Sequence, residues 1–164
     1  DRKDELMITF VYPTEANRDD VQRFYAEFEQ QGKTCIGYGK HKNYDTWLTN
    51  VHNRIMATDL PEGFVQEAFY LCYDGSEMVG VLNLKFTLTE YLLNYGGHVG
   101  YAVKPSRQGH GLATQMMHHA LTSHAAFGWT GSCWFAMMTT TLLKKSSCAT
   151  AASTRIPVTI PRKP

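Results

Sequence analysis

Hydrophobic and polar positions follow two different periods along the first part of the chain. Leu6 to Tyr12 alternates like a β-strand, whereas the next stretch spaces its apolar side chains three and four positions apart, as on one face of a helix. That face consists of Val21, Phe24, Tyr25 and Phe28. A second face of this kind consists of Trp47, Leu48, Val51 and Ile55. The pattern predicts one strand followed by two helices that pack against a core.

Three further strands and a third helix follow from the same patterns. Ala68–Tyr73 and Met78–Leu88 flank Asp74-Gly75, a dipeptide typical of hairpin turns, and are predicted to form an antiparallel pair. The apolar run from His98 to Val103 predicts another strand, which Pro105 ends. Helical spacing begins at Leu112 and continues through Met116, Met117, Ala120 and Leu121.

The junction between the last strand and this helix is rich in glycine. The segment reads GGHVGYAVKPSRQGHGLA from Gly96 to Ala113, with Gly109 and Gly111 just before the helix. Because a helix N-terminus has unpaired N–H groups and a partial positive charge, this junction is a candidate phosphate cradle. A dinucleotide fingerprint would need a third glycine at Thr114, and a Walker loop would need Gly-Lys-Ser/Thr, so both fit less well.

The same residues resemble the GCN5-related N-acetyltransferases (GNAT family). Gln108-Gly109-His110-Gly111-Leu112-Ala113 is similar to the Q/R-x-x-G-x-G/A signature of that family, and it follows a V-G-Y-x-V-x-P strand. The resemblance implies an α/β fold, an α+β arrangement around a mixed sheet, and acetyl-CoA as co-substrate. It also implies that the loop amides bind the pyrophosphate of acetyl-CoA and that the strand binds its pantetheine arm. The implied binding residues are Tyr101, Ala102, Val103, Gln108, Gly109, His110, Gly111, Leu112 and Ala113.

The resemblance further implies that an acceptor amine attacks the thioester directly, without a metal. On that basis the backbone N–H of Tyr101 is the candidate oxyanion donor. His98 and Glu90 are candidate general bases, because one has a near-neutral intrinsic pKa and the other is a nearby carboxylate. A hydrogen-bonded strand histidine and a solvated loop carboxylate are the alternative interpretations. No residue is assigned as general acid.

The acceptor is predicted to be a primary amine on a small molecule or a peptide, and its identity and the oligomeric state stay open. Glu90, Tyr91, Asn94 and Tyr95 are candidates to line its pocket, with core packing of Tyr91 and Leu92 as the alternative. A metal site is not expected. His118, His119 and His124 lie on the third helix without a cysteine or carboxylate nearby in sequence, so solvated histidines are the favoured interpretation.

Composition indicates how large the folded unit is and in which cellular compartment the protein is expected. The chain has 164 residues, 43% of them hydrophobic, which suits one small domain. Its four cysteines, Cys35, Cys72, Cys133 and Cys148, show no C-x-x-C spacing, and the charged residues 1–5 contain no apolar signal region. We therefore expect reduced thiols, a cytoplasmic protein and no membrane span.

Charge divides the chain unevenly. Residues 1–90 contain all 15 acidic residues and have a net charge of −6, whereas residues 91–164 contain no acidic residue and have a net charge of +7. A flexible basic tail and an arm that binds nucleic acid or a membrane surface are two interpretations of this asymmetry. Neither accounts for Trp129, Trp134 and Phe135, and no nucleic-acid partner is expected.

A third interpretation is that residues 129–164 are translated in the wrong reading frame. Because Trp and Met have single codons, the shifted frame forces Asp across Trp129-Thr130 and again at both steps of Met137-Met138-Thr139. It also admits a C-D-x-D-N-x-A-S turn and a helix ending in N-G-G, which resembles the C-terminal motif of a bacterial branch of the family. The sequence thus predicts an acetyltransferase domain at 1–128 and an aberrant or irregular tail at 129–164. The C-terminal strand and helix are then missing, one sheet edge is open, and the alternative function is an inactive remnant.

Overall fold

The computed structural model describes residues 8–38, 43–124 and 152–154. Five strands form one sheet in the order β1-β2-β3-β4-β5, and every pairing among them is antiparallel. The strands are β1 (Ile8–Val11), β2 (Glu67–Asp74), β3 (Glu77–Lys85), β4 (Val99–Val103) and β5 (Ala152–Thr154). The predicted hairpin is confirmed, and its two-residue turn lies at Gly75-Ser76.

In the described part of the chain, three helices accompany the sheet: α1 (Arg18–Gln30), α2 (Tyr44–Met56) and α3 (Leu112–His124). The predicted apolar face of α1 is confirmed, since all four of its residues are buried. In α2, Trp47 and Val51 are fully buried, while Leu48 and Ile55 are partly buried. Asn43 begins α2 by accepting hydrogen bonds from the backbone N–H groups of the first turn, as N-cap residues do.

The helices cover both faces of the sheet. One cluster joins α1 and α2 to the face that carries Phe69, Leu71 and Val81. The other joins α3 to the opposite face, which carries Leu82 and Leu84. Strand β3 is therefore buried on both sides, which explains its nearly continuous apolar sequence.

The prediction of an open sheet edge is wrong for part of β4. Strand β5 pairs with β4 over Val99 to Tyr101, so the three residues 152–154 cover this stretch of the edge. Their backbone groups supply partners that an unpaired edge would lack. The rest of the predicted tail at 129–164 lies outside the described residues.

A close contact at Gly80 joins β3, β4 and α3. A Cβ atom at this position would lie 2.0 Å from Met116 Cε and 2.8 Å from the backbone oxygen of Ala102. Both Met116 and Gly80 are buried, so the side chain of α3 occupies the space that the glycine leaves. Glycine at this point lets the helix approach the strand that precedes the glycine-rich loop.

Replacement of Gly80 by alanine should therefore destabilise the protein by about 1–3 kcal/mol, the usual cost of overpacking a core. The flexible end of Met116 can move, but the backbone of Ala102 must shift with β4. Urea unfolding followed by tryptophan fluorescence measures the effect. Thr87→Ala, at an exposed position after β3, is the matched control. Equal midpoints for Gly80→Ala, Thr87→Ala and the wild type would show that the contact is not tight.

Candidate functional site

The junction between β4 and α3 is a tight turn with two left-handed glycines. After β4 ends, Pro105–Arg107 forms one helical turn of the 3-10 type. Gly109 and Gly111 then have φ of +84° and +78°, which favour glycine strongly over other residues. A side chain at either glycine would meet no atom of the described residues within 4 Å, so conformation, not space, calls for glycine here.

The turn leaves backbone N–H groups at the start of α3. The first bond of the helical ladder runs from the N–H of Gln115 to the oxygen of Gly111, at 3.2 Å. The N–H groups of Leu112 to Thr114 precede it and belong to the unpaired first turn of the helix. With the helix dipole they form a site suited to an anion such as a diphosphate.

The other loop residues hold this turn in place. Gln108 Nε2 donates a hydrogen bond to the oxygen of Val103, at 3.2 Å, and thereby ties the loop to the end of β4. His110 is exposed, and its Nδ1 lies 3.2 Å from the oxygen of Arg107. Leu112 is buried beneath the turn and Ala113 is partly buried. Gly109, His110 and Gly111 thus form the exposed part of the turn, and Leu112 packs beneath it.

Strand β4 presents alternate backbone groups to its two neighbours. The N–H of Lys85 donates to the oxygen of His98 at 2.8 Å, which makes these residues a hydrogen-bonded pair. Alternation along the ladder then makes Asn83 and Gly100 the next such pair and turns the N–H of Tyr101 away from β3. That N–H faces the edge at which β5 lies, where Tyr101 is opposite Ala152.

The side chains of β4 are packed into the core. Tyr101 is partly buried against the α3 face, and this burial raises the pKa of its hydroxyl. Ala102 and Val103 are buried on opposite faces. These three residues therefore offer a ligand their backbone groups and little of their side chains.

The structure places the two candidate bases in different surroundings. His98 is 8% exposed, just before β4, and its Nδ1 lies 2.8 Å from the oxygen of Lys85. Glu90 is exposed, and its backbone oxygen accepts a hydrogen bond from Asn94 Nδ2 at 2.9 Å. His98 is thus close to the strand that carries Tyr101, whereas Glu90 lies in the segment before a π-helical turn, Leu92–Gly96.

That segment also carries the aromatic residues suggested for an acceptor pocket. Tyr91 and Tyr95 are 69% and 65% exposed, and their ring centroids are 5.3 Å apart. The alternative interpretation of Tyr91 as a core residue is therefore wrong. Tyr95 lies in the π-helical turn, and Tyr91 immediately precedes it.

Ion pairs anchor the turn before the glycine loop, and the sequence patterns did not point to them. Arg107 binds two carboxylates of the β2–β3 hairpin: its Nη1 donates to Glu77 Oε2 at 2.6 Å, and its Nη2 donates to Asp74. Lys104 donates to the other oxygen of Glu77, at 2.7 Å. We call these four residues the loop clamp.

Helix α1 supports the clamp from the other side. Glu27 Oε1 accepts a hydrogen bond from the N–H of Ser106 at 2.6 Å, and its Oε2 lies 3.6 Å from Lys104 Nζ. The hydrogen bond from Lys104, assisted by the charge of Arg107, holds the pKa of Glu77 below its ordinary value, although burial opposes the shift. Glu77 therefore stays ionised at neutral pH. Acids beside the hairpin turn and bases around Pro105 were its only sequence signal.

A second missed group is buried on the α1 and α2 face of the sheet. Glu67 and Asn83 are 4% and 9% exposed, and Arg54 Nε lies 3.4 Å from Glu67 Oε1. The alternation of β3 places Asn83 on this face, but only the tertiary structure shows that it is buried and donates to Glu67. Arg54 comes from that helix.

The histidines of α3 have separate surroundings. His119 stacks on Phe10 with ring centroids 3.7 Å apart, while His118 is exposed. Across residues 8–38, 43–124 and 152–154, no three His, Cys, Asp or Glu side chains are grouped to hold a metal ion. None of the helices in these ranges has the length and apolar content needed to cross a membrane.

Comparison with known proteins adds one finding to this geometry. A family model described as the acetyltransferase (GNAT) family matches residues 4–142, which is most of the chain. No curated protein and no solved structure matches the chain.

The loop clamp predicts how mutation alters binding of acetyl-CoA, the ligand that the resemblance implies. Arg107→Gln should weaken that binding about tenfold, because a loop that samples other conformations must be ordered on binding. Isothermal titration calorimetry with acetyl-CoA measures the change. Arg23→Gln removes an exposed arginine from a pair with Asp20 and is the matched control.

Glu77→Gln separates anchoring from simple attraction of the ligand phosphates. This variant also opens the loop clamp, but it makes the protein more positive. If the clamp acts by anchoring, Glu77→Gln weakens acetyl-CoA binding as Arg107→Gln does. Tighter binding by Glu77→Gln would mean that net charge, and not the clamp, controls affinity.

Proposed function

Since this chain belongs to the acetyltransferase (GNAT) family, we propose that it transfers an acetyl group from acetyl-CoA to a primary amine of a small molecule or peptide. The observation that carries this proposal is the junction of β4 and α3. Two left-handed glycines there precede a free helix N-terminus, next to a strand whose Tyr101 N–H points away from β3. The acceptor's identity is left open.

In this proposal the loop from Gln108 to Ala113 binds the pyrophosphate of acetyl-CoA, and the backbone of Tyr101 to Val103 binds the pantetheine arm. Anionic oxygens suit the N–H groups of the first turn of α3. The fixed orientation of β4 allows its outward N–H groups to donate to amide oxygens of the arm. The side chains of Tyr101 to Val103 keep the strand rigid because they are packed into the core.

The reaction is direct transfer. The amine nitrogen attacks the thioester carbonyl carbon, the N–C bond forms, and the C–S bond breaks to release the CoA thiolate. The N–H of Tyr101 stabilises the negative charge that develops on the carbonyl oxygen, as preorganised donors do. A base accepts the proton that the amine loses, and the thiolate accepts a proton as it leaves.

His98 and Glu90 are the two candidates for that base. The position of His98 favours it, because it lies two residues before Gly100 at the start of the same strand. Glu90 is exposed and lies earlier in the chain, in the segment that leads into the π-helical turn Leu92–Gly96. Residues Tyr91, Asn94 and Tyr95 of that segment stay candidates for the acceptor pocket.

A pair of glycine substitutions tests the loop directly. Gly111→Ala should weaken acetyl-CoA binding at least about tenfold, because alanine disfavours this backbone conformation by about 1–2 kcal/mol. Gly63→Ala is the matched control, since Gly63 has φ of +83° and also has open space around its Cβ position. Both variants should lose similar stability in urea unfolding, and only Gly111→Ala should lose affinity in calorimetry. Equal affinities would contradict the proposed binding site.

Strand β5 occupies the edge of β4 towards which the Tyr101 N–H points. Because β5 pairs with Val99 to Tyr101, acetyl-CoA can reach the Tyr101 N–H only if that pairing opens. Ala152→Pro removes the backbone N–H of β5 that lies opposite Tyr101 and should raise acetyl-CoA affinity several-fold. Ala152→Ser keeps the N–H and should bind like the wild type. Lower affinity in Ala152→Pro would show that β5 supports binding.

The interpretation of residues 129–164 as a shifted reading frame is a separate proposal, and it rests on the forced Asp positions alone. Sequencing the coding DNA across the Gly128 and Trp129 codons, with independent coverage, tests it. If the interpretation is right, the coding DNA contains one more base at this point than the present reading frame requires. Confirmation of the present frame would favour the alternative, an inactive member of the family, and mass spectrometry of the purified chain would then agree with the printed sequence.

A further inference from the structure

Three residues on the α1 and α2 face have no role in the mechanism proposed above. Arg54, Glu67 and Asn83 form what we call the inner polar cluster. Among the described residues, Arg54 Nε, Glu67 Oε1 and Asn83 Oδ1 are buried without a hydrogen-bond partner. Such atoms are uncommon in native proteins, because each has lost its hydrogen bonds to water without replacing them. Exceptions of this kind tend to lie at functional sites.

Only one of the three atoms calls for an outside partner. Arg54 Nε and Glu67 Oε1 lie 3.4 Å apart as an ion pair, so each largely compensates the other. The oxygen of Asn83 has no such neighbour among the described residues. Asn83 Nδ2 donates to Glu67 Oε2 at 3.2 Å, and a carboxylate accepts but does not donate, so Asn83 Oδ1 is held on the side away from Glu67.

That oxygen faces Gly100 in β4. A Cβ atom at Gly100 would lie 2.3 Å from Asn83 Oδ1, so any other residue here would displace the amide. Gly100 is partly exposed, and the next residue is Tyr101, whose N–H is the proposed oxyanion donor. The unpartnered oxygen therefore lies beside the residue that precedes the proposed oxyanion donor in β4.

We propose that Asn83 Oδ1 accepts a hydrogen bond from the N–H of the acceptor amine, and that Glu67 is a positioning residue that keeps this oxygen turned towards Gly100. The proposal rests on the acetyl-transfer function proposed above. A hydrogen-bond donor is what the oxygen lacks. A primary amine supplies one N–H to it and retains its lone pair for attack on the thioester.

The charges around the cluster select the uncharged form of that amine. Arg54 and Lys85, the cross-strand neighbour of Glu67, bring two positive charges against one carboxylate. Burial lowers the pKa of Lys85, and the charge of Arg54 acts in the same direction, while Glu67 opposes the shift. A neutral amine donates to Asn83 without adding charge, and only the neutral form is nucleophilic.

Nuclear magnetic resonance of the ¹⁵N-labelled full chain tests the proposal with n-butylamine as the probe. Saturable shifts of the Gly100 and Tyr101 amide signals are expected. N,N,N-trimethylbutylammonium, which has no N–H group, should leave both signals in place. Asn83→Leu should weaken the response to n-butylamine about tenfold, and Asn50→Leu on α2 should not. Glu67→Gln should weaken it less, because the amide introduced by this substitution can also donate and so lets the Asn83 amide turn over.

Several outcomes would overturn the proposal. These are no saturable response in the wild type, an equal response to the quaternary ammonium ion, or an unchanged response in a folded Asn83→Leu variant. If Asn83→Leu loses its dispersed spectrum and is therefore unfolded, the response of Glu67→Gln to n-butylamine decides. An unchanged response in that variant would overturn the proposal. Calorimetry with acetyl-CoA on the same samples tests the proposed function separately. Asn83→Leu should bind acetyl-CoA like the wild type, and failure of the wild type to bind it would count against acetyl transfer while leaving the amine site standing.

Discussion

The packing of α3 against β3 and β4 is the contact on which the proposed site depends. Met116 lies over Gly80, and this lets the helix lie close to the sheet at the end where the glycine loop begins. Because Leu112, Met116 and Ala120 are all buried on the same side, α3 packs against the sheet in one orientation. Its N-terminus is thereby fixed next to the end of β4, so the loop and the strand present their backbone groups together.

Local patterns predicted the elements but not their long-range contacts. Val21, Phe24 and Phe28 repeat with a helical period, so the buried face of α1 was readable from sequence. The turn at Gly109 and Gly111 was also readable from the sequence, since closely spaced glycines indicate a turn, and the structure adds the positive φ of both. The resemblance to the acetyltransferases was carried by these same local features, and the family match confirms it.

Contacts between residues that are distant in the chain could not be predicted from the sequence. Asp74 and Arg107 are 33 positions apart, and their pairing depends on the register of three strands. The buried Asn83 is likewise 16 positions from Glu67, the carboxylate to which its amide donates. No local period encodes such contacts. The pairing of β5 with β4 is a further case, because Ala152–Thr154 has neither the length nor the pattern of a typical strand.

The loop clamp also bears on how this protein can be recombined with its relatives. The acids of the clamp belong to the β2–β3 hairpin, and its bases belong to the connection after β4. A chimaera with a crossover between Glu77 and Lys104 would inherit the two halves from different parents. Unless both parents share the same charges, such a chimaera would keep every residue of the glycine loop and still lose its anchor. The hairpin and the connection after β4 are in this sense inherited together, although 26 residues separate Glu77 from Lys104 in the chain.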